Sequence, residues 1–183
     1  GIDFGAGIFT GGLGRTTTPA FLVGGKLLYF FDKLIALEAA IRYGRHENTM
    51  QPNSTTYARI DTYLVPITLG FRYYFDTKNA PKAIAVANPY LAFGGGIYLR
   101  GENVIANSSN FNFDVPNTVT NNYGGYVGAG AEFNIYRKHI YLGLDLRYHL
   151  IFFTDESETF GKIEEGDRAG DYVSSVITLT YNF

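Results

Sequence analysis

Ile140-Tyr141-Leu142-Gly143-Leu144-Asp145-Leu146-Arg147-Tyr148-His149-Leu150-Ile151-Phe152 is the stretch that decides the fold. Ile140, Leu142, Leu144, Leu146, Tyr148, Leu150 and Phe152 fall on one face. His139, Tyr141, Gly143, Asp145, Arg147 and His149 fall on the other. Period-two alternation of this length is the signature of a β-strand with two unlike surroundings.

The same alternation recurs along the chain. Val173, Ile177, Leu179, Tyr181 and Phe183 oppose Ser174, Thr178, Thr180 and Asn182. Tyr63, Val65, Ile67, Leu69, Phe71, Tyr73 and Phe75 oppose Thr62, Thr68, Gly70 and Arg72, and Ile35, Leu37, Ala39, Ile41 and Tyr43 oppose Ala36, Glu38, Ala40 and Arg42. Eight strands are expected, over 1–12, 19–31, 34–45, 58–75, 89–102, 122–136, 139–153 and 172–183. Tight turns fall at Asp32-Lys33 and Arg137-Lys138, with a medium connection from Asp76 to Asn88. The other connections, 11–18, 46–57, 103–121 and 155–171, are mostly longer and polar. Short turns on one rim and long loops on the other are the layout of an outer-membrane barrel. The expected fold is all-β: an eight-stranded antiparallel up-and-down transmembrane β-barrel, one domain over 1–183.

Alternation alone leaves open which face points inward, since a soluble lipocalin-like barrel would bury its bulky face. Volume decides for the membrane form. An eight-stranded barrel is just wide enough for side chains to fill, and five to seven large residues from each strand would overpack it. The opposite face carries Gly5, Gly7, Gly24, Ala92, Gly94, Gly96, Gly128, Gly130 and Gly143, which fit a narrow interior. Charged residues are 17% of the chain, below the roughly 25–35% that a water-facing surface wants. Ten residues at ~3.3 Å rise, tilted about 45°, span roughly 24 Å, close to the apolar band of such barrels. No apolar run is long enough for a membrane helix; Ala83–Leu99 is broken by Asn88, Pro89 and three glycines.

The inward face is expected to hold a charge network of Asp3, Lys26, Glu38, Arg42, Arg72, Glu132, Asp145 and Arg147, four acids against four bases. Buried ions persist when paired and hydrogen-bonded, so a balanced set implies a closed lumen; the alternative is rim residues in water. Two aromatic girdles are expected: Tyr29, Phe31, Tyr73, Phe75, Phe133, Tyr136, Tyr181 and Phe183 near the short turns, and Tyr43, Tyr63, Tyr98, Tyr123 and Tyr148 near the long loops.

Four segments carry a family resemblance. Asp171–Phe183, ending Ile177-Thr178-Leu179-Thr180-Tyr181-Asn182-Phe183, looks like the terminal signal read by the barrel-assembly machinery, with Tyr181 and Phe183 as its anchors. Pro89–Gly96, Gly128–Phe133 and Tyr63–Phe75 resemble strands of small outer-membrane barrels of the OmpA/OmpX-like superfamily. The resemblance implies a bacterial outer-membrane location, with lipid, lipopolysaccharide and the barrel-assembly machinery as partners. It is unspecific for function, since the superfamily holds anchors, adhesins, lipid A enzymes and subunits of envelope machines. No peptidoglycan-binding domain follows Phe183, so that anchoring role is not carried over. No signal peptide precedes Gly1, which for an exported chain means a removed signal or a missing upstream part.

Catalytic and cofactor motifs are sparse. Cys is absent, which excludes disulfides and Cys-ligated zinc. No dinucleotide fingerprint or P-loop is present, and the mid-strand glycines read as relief of crowding. His46 opens a long loop, His139 follows a tight turn, and their spacing with His149 fits no metal motif. No metal, no cofactor and no catalytic set are expected. His149 is the one histidine with hydrolase potential, near Asp155, Glu156, Ser157 and Glu158. The lipid A deacylases of the superfamily use the outer face of the barrel, and an inward His149 would be on the wrong side.

The net charge of −2 gives no case for nucleic acid. The last loop carries Asp155, Glu156, Glu158, Glu164, Glu165 and Asp167 against Lys162 and Arg168, and reads as a solvated acidic loop or a site for cations or a basic partner. The short-turn rim leans basic. Gly95, Gly125, Ala129 and Ala131 make an outward face unusually small for lipid contact, a candidate lateral partner contact by analogy with membrane helices; strand curvature or a lipid-filled groove are the alternatives. The functional expectation is a non-enzymatic structural or accessory subunit of a cell-envelope assembly, touching other envelope proteins. The runner-up is an adhesin-like binding protein working through four extracellular loops. A small channel and an outer-membrane enzyme are the remaining alternatives.

Overall fold

The computed structural model describes residues 1–10, 17–53, 56–106, 119–137, 139–153 and 169–182. Eight antiparallel strands close into one barrel in chain order. They are β1 (Ile2–Phe9), β2 (Ala20–Phe30), β3 (Ile35–Asn53), β4 (Thr56–Tyr74), β5 (Pro89–Ala106), β6 (Val119–Tyr136), β7 (Ile140–Phe152) and β8 (Ala169–Tyr181). β1 pairs with β8, from Ile2–Leu179 to Phe9–Tyr172, so no edge is left along that seam. A six-residue helix, α1 (Lys82–Ala87), occupies the medium connection expected from Asp76 to Asn88.

The two faces sort as volume demands. Along β7 the burial alternates strictly, with Gly143, Asp145, Arg147, His149 and Ile151 buried and the bulky apolar set exposed. Leu27 is 76% exposed and Phe21 68%, on a wall that also exposes Leu69, Phe93, Leu144 and Leu146. A continuous apolar surface of this extent belongs in hydrocarbon.

Three expectations are corrected. The connection expected at 46–57 is largely strand: β3 and β4 stay paired through Glu47–Asp61, Thr49–Arg59 and Asn53–Thr56. Likewise β5 runs on to Ala106 and β6 starts at Val119. Apolar alternation ends where lipid ends, but ladder bonds need no apolar side chain, so the strands outrun the pattern that revealed them. Second, Tyr98 belongs to no outer girdle. It lies on the same side of β5 as Gly94 and Gly96 and is fully buried in the lumen. Third, His46 opens no loop; it sits within β3 and is fully buried. The expected acidic loop from Asp155 to Arg168, and also Lys138 and Phe183, lie outside the described residues.

The tight turns are built locally. Asp32 Oδ1 accepts hydrogen bonds from the Leu34 and Ile35 amides at 2.7 and 2.8 Å, and Arg137 takes the left-handed conformation at φ 45°. Asp32→Ala removes the acceptor for both amides and should cost about 1 kcal/mol, read as a lower urea midpoint in lipid vesicles with fold and yield unchanged.

Candidate functional site

The lumen is filled by side chains from all eight strands in two decks. The deck toward the short turns is ionic, and all eight charged residues expected inside are buried there. Arg72 of β4 donates from Nε to Glu38 Oε2 at 2.6 Å and from Nη1 to Glu132 Oε1 at 2.6 Å, and its Nη2 lies 3.5 Å from Asp145 Oδ2. Arg147 of β7 grips two carboxylates at once. Its Nε and Nη2 reach Asp145 at 2.7 Å each, and its Nη1 and Nη2 reach Glu38 at 2.6 and 3.0 Å. Arg42 binds Asp3 at 2.9 Å and approaches Asp145 at 3.9 Å, while Lys26 Nζ lies 3.4 Å from Asp3.

The eight charges therefore form one connected network. The tyrosines complete it. Tyr90 donates to Asp145 at 2.8 Å and Tyr74 to Glu132 at 3.0 Å. Arg72 also lies 4.2 Å above the Tyr90 ring, and Arg147 lies 4.6 Å above Tyr126. Planar guanidinium forks suit this work, since Arg147 meets two carboxylates and Arg72 three, with fixed geometry.

Toward the long-loop rim the deck turns apolar and aromatic. Phe9, Leu22, Leu64, Tyr98, Ile151, Tyr172 and Val176 pack as one cluster, with Phe153 against it. His149 is buried here, bridging the Tyr98 hydroxyl at Nδ1 (2.9 Å) and the Ser174 hydroxyl at Nε2 (3.0 Å). His46 Nδ1–H donates to the Thr18 carbonyl at 2.9 Å, its ring beside Phe9 and Tyr172.

The Ser174–His149 pair has the reach of a nucleophile and base. The other imidazole nitrogen meets a tyrosine, not the carboxylate that would orient a base. Tyr98, Tyr126 and Tyr172 rings enclose the histidine. Ser174 was recognisable as inward by its place in β8, but its contact with His149 depends on how β7 and β8 pair across Tyr172. Among the described residues no group of His, Cys, Asp and Glu could hold a metal ion.

On the outer wall the small residues do not form one smooth strip. Gly95 pairs directly with Gly125, and Ala129 pairs with Leu91 and Ala131 with Pro89. Between these two patches the same alternation that turns them outward also turns out Phe93 and Val127, both well exposed. The expected strip is thus two small depressions. Tyr181 is exposed at the short-turn rim, and His139 stacks against it.

The sequence matches the family model described as outer membrane protein beta-barrel domain over residues 1–183. No curated protein matches it. Among solved structures, the barrel is similar to Neisserial surface protein A. Identity is 14%, coverage 99% of this chain and 94% of that one, and the TM-score 0.49. It is also similar to Ail, the attachment invasion locus protein of Yersinia pestis, at 11% identity, 100% and 96% coverage and a TM-score of 0.47. A second Ail structure, in complex with the heparin analogue sucrose octasulfate, gives 11% identity, the same coverage and a TM-score of 0.46.

Proposed function

Given that the chain belongs to the outer membrane protein β-barrel family and sits in the bacterial outer membrane, we propose that it works by contact and not by passage. It is a structural or accessory subunit of a cell-envelope assembly, without enzymatic activity. The filled lumen carries this reading. Four bases and four acids are cross-linked from wall to wall beneath an aromatic deck, and a network that spans the lumen in this way blocks passage of solute, although a pocket lined by Gly1, Lys26, Leu28, Glu132 and Thr180 opens at the short-turn rim. What remains available is the outside. The wall meets outer-membrane lipid and lipopolysaccharide, Tyr181 and Phe183 engage the barrel-assembly machinery, and the depression at Ala129 and Ala131, with that at Gly95 and Gly125, seats another envelope protein.

Affinity purification from native outer membranes in mild detergent, followed by mass spectrometry, tests this. A stoichiometric envelope protein should co-purify, and Ala129→Phe should release it while leaving the barrel folded. Ala129 is exposed and outward, so the added ring has lipid to occupy. A barrel that purifies alone, or a complex untouched by the ring, would refute the subunit reading.

A second reading is favoured by the extension of β3 to β6. Pairing continues through Asn53–Thr56 and Ala58–Ala106, well beyond the last pair of β1 with β2 at Gly7–Ala20. Four strands thus rise as a sheet from one side of the long-loop rim, a platform suited to an adhesin-like surface binding protein. Trimming the β3–β4 hairpin would then abolish binding to an extracellular ligand and leave co-purification within the envelope unchanged.

A further inference from the structure

The β4–β5 connection is short of partners within the barrel. Its helix α1 reads Lys82-Ala83-Ile84-Ala85-Val86-Ala87, apolar at five of six positions, and none of its residues is buried. Ile84 is 47% exposed and Val86 56%. A helix that is apolar all round belongs inside an apolar surrounding. Among the described residues it packs chiefly against the flank of β6.

Its position says what the remaining surroundings are. The chain reaches α1 from the lipid-facing wall through outward Tyr73 and Phe75, and it returns to that wall through Pro89 and outward Leu91. The helix is therefore continuous with the lipid-facing surface at the short-turn rim, which in outer-membrane barrels is the periplasmic rim. The charges fit as well. Between Asp76 and Asn88 the chain carries Lys78 and Lys82 against Asp76 alone, and both lysines are exposed. Long basic side chains at such a level keep their stems in apolar surroundings and their ammonium groups among phosphates.

We propose that α1 lies immersed in the headgroup layer of the periplasmic leaflet, as an interfacial foot of the barrel, with Lys78 and Lys82 on lipid phosphates. The occupant of this surface is lipid and not a protein.

The chain contains no tryptophan, so a single introduced indole reports one position. Ile84→Trp and Val86→Trp are placed separately in the full chain, each checked for folding and reconstituted into phosphatidylcholine vesicles with and without brominated acyl chains. Val127→Trp, on the exposed wall, is the lipid reference, and N-acetyltryptophanamide is the water reference. Emission shifted to the blue toward the wall reference, with quenching by the brominated lipid at either position, supports the proposal. Water-like, unquenched emission at both overturns it, and that is the result expected if α1 instead seats a periplasmic protein. Adding Lys78→Glu and Lys82→Glu to Ile84→Trp should cut the quenching by half or more; unchanged quenching would overturn the part given to the lysines.

Discussion

Arg72→Met should be the most damaging charge substitution in this barrel, costing on the order of 3–5 kcal/mol. The reason is what it leaves behind. Arg72 is fully buried and serves Glu38, Glu132 and Asp145 together. Of these, Glu132 pairs with no other cation among the described residues and is left with the Tyr74 hydroxyl. Methionine fills much of the volume but donates nothing, so a desolvated carboxylate is stranded in the lumen. The measurement is urea unfolding in lipid vesicles, followed by loss of the heat-modifiable compact form on gels. Arg147→Met should be costly for the same reason, since Arg147 holds Glu38 and Asp145. The two changes together should cost more than their sum, because each alone leaves Glu38 one arginine and both together leave it none. Lys33→Ala is the control. Lys33 is exposed in the turn after β2, and exposed charges contribute little. A loss at Arg72 no larger than at Lys33 would mean that the lumen charges are hydrated and that the network does not hold the barrel closed.

Much of this was legible in the sequence, because lipid outside and a narrow lumen inside put opposite demands on alternate residues. A charge in mid-strand, such as Arg72 between Phe71 and Tyr73, could only point inward. What could not be read was who meets whom. Arg147 reaches Glu38 across the lumen, 109 residues away in the chain, and that contact depends on strand tilt and on the register of every seam between β3 and β7. Tyrosine was the ambiguous residue. Its ring suits the membrane interface and its hydroxyl suits a buried network, so Tyr73 faces lipid and Tyr74 faces Glu132 with no compositional difference between them. Only strict counting along β5 from Gly94 and Gly96 would have turned Tyr98 inward. The strand extensions stayed hidden for the opposite reason. Beyond the apolar band both faces of β3 are polar, as in Arg45-His46-Glu47, and period-two contrast disappears while pairing continues.

Gly96→Val should abolish folding, although valine is a far better strand residue than glycine. Propensity and packing make opposite forecasts here, which is what makes the experiment informative. A Cβ at Gly96 would fall 2.0 Å from the Ile67 carbonyl oxygen and 2.8 Å from the Thr68 Cα. Both are backbone atoms of β4, so no rotamer change relieves the clash. β4 and β5 would have to part where Ile67–Ile97 and Thr68–Gly96 pair. The neighbouring glycines show the same economy of space. A Cβ at Gly70 would strike the Tyr126 hydroxyl at 2.4 Å, and one at Gly124 would strike the Tyr98 ring at 2.8 Å. Inward glycines on one strand are thus the room in which tyrosines of the next strands lie. Overpacking a close-packed interior typically costs 1–3 kcal/mol, and more when backbone must move, so the variant should fail to reach the compact form in refolding from urea. Gly125→Ala is the matched outward change. Its new Cβ meets nothing nearer than the Gly94 carbonyl oxygen at 3.4 Å, and it should refold like the unaltered protein. If Gly96→Val refolds equally well, the lumen at this level has slack, and the sealed interior on which the contact function rests would have to be given up.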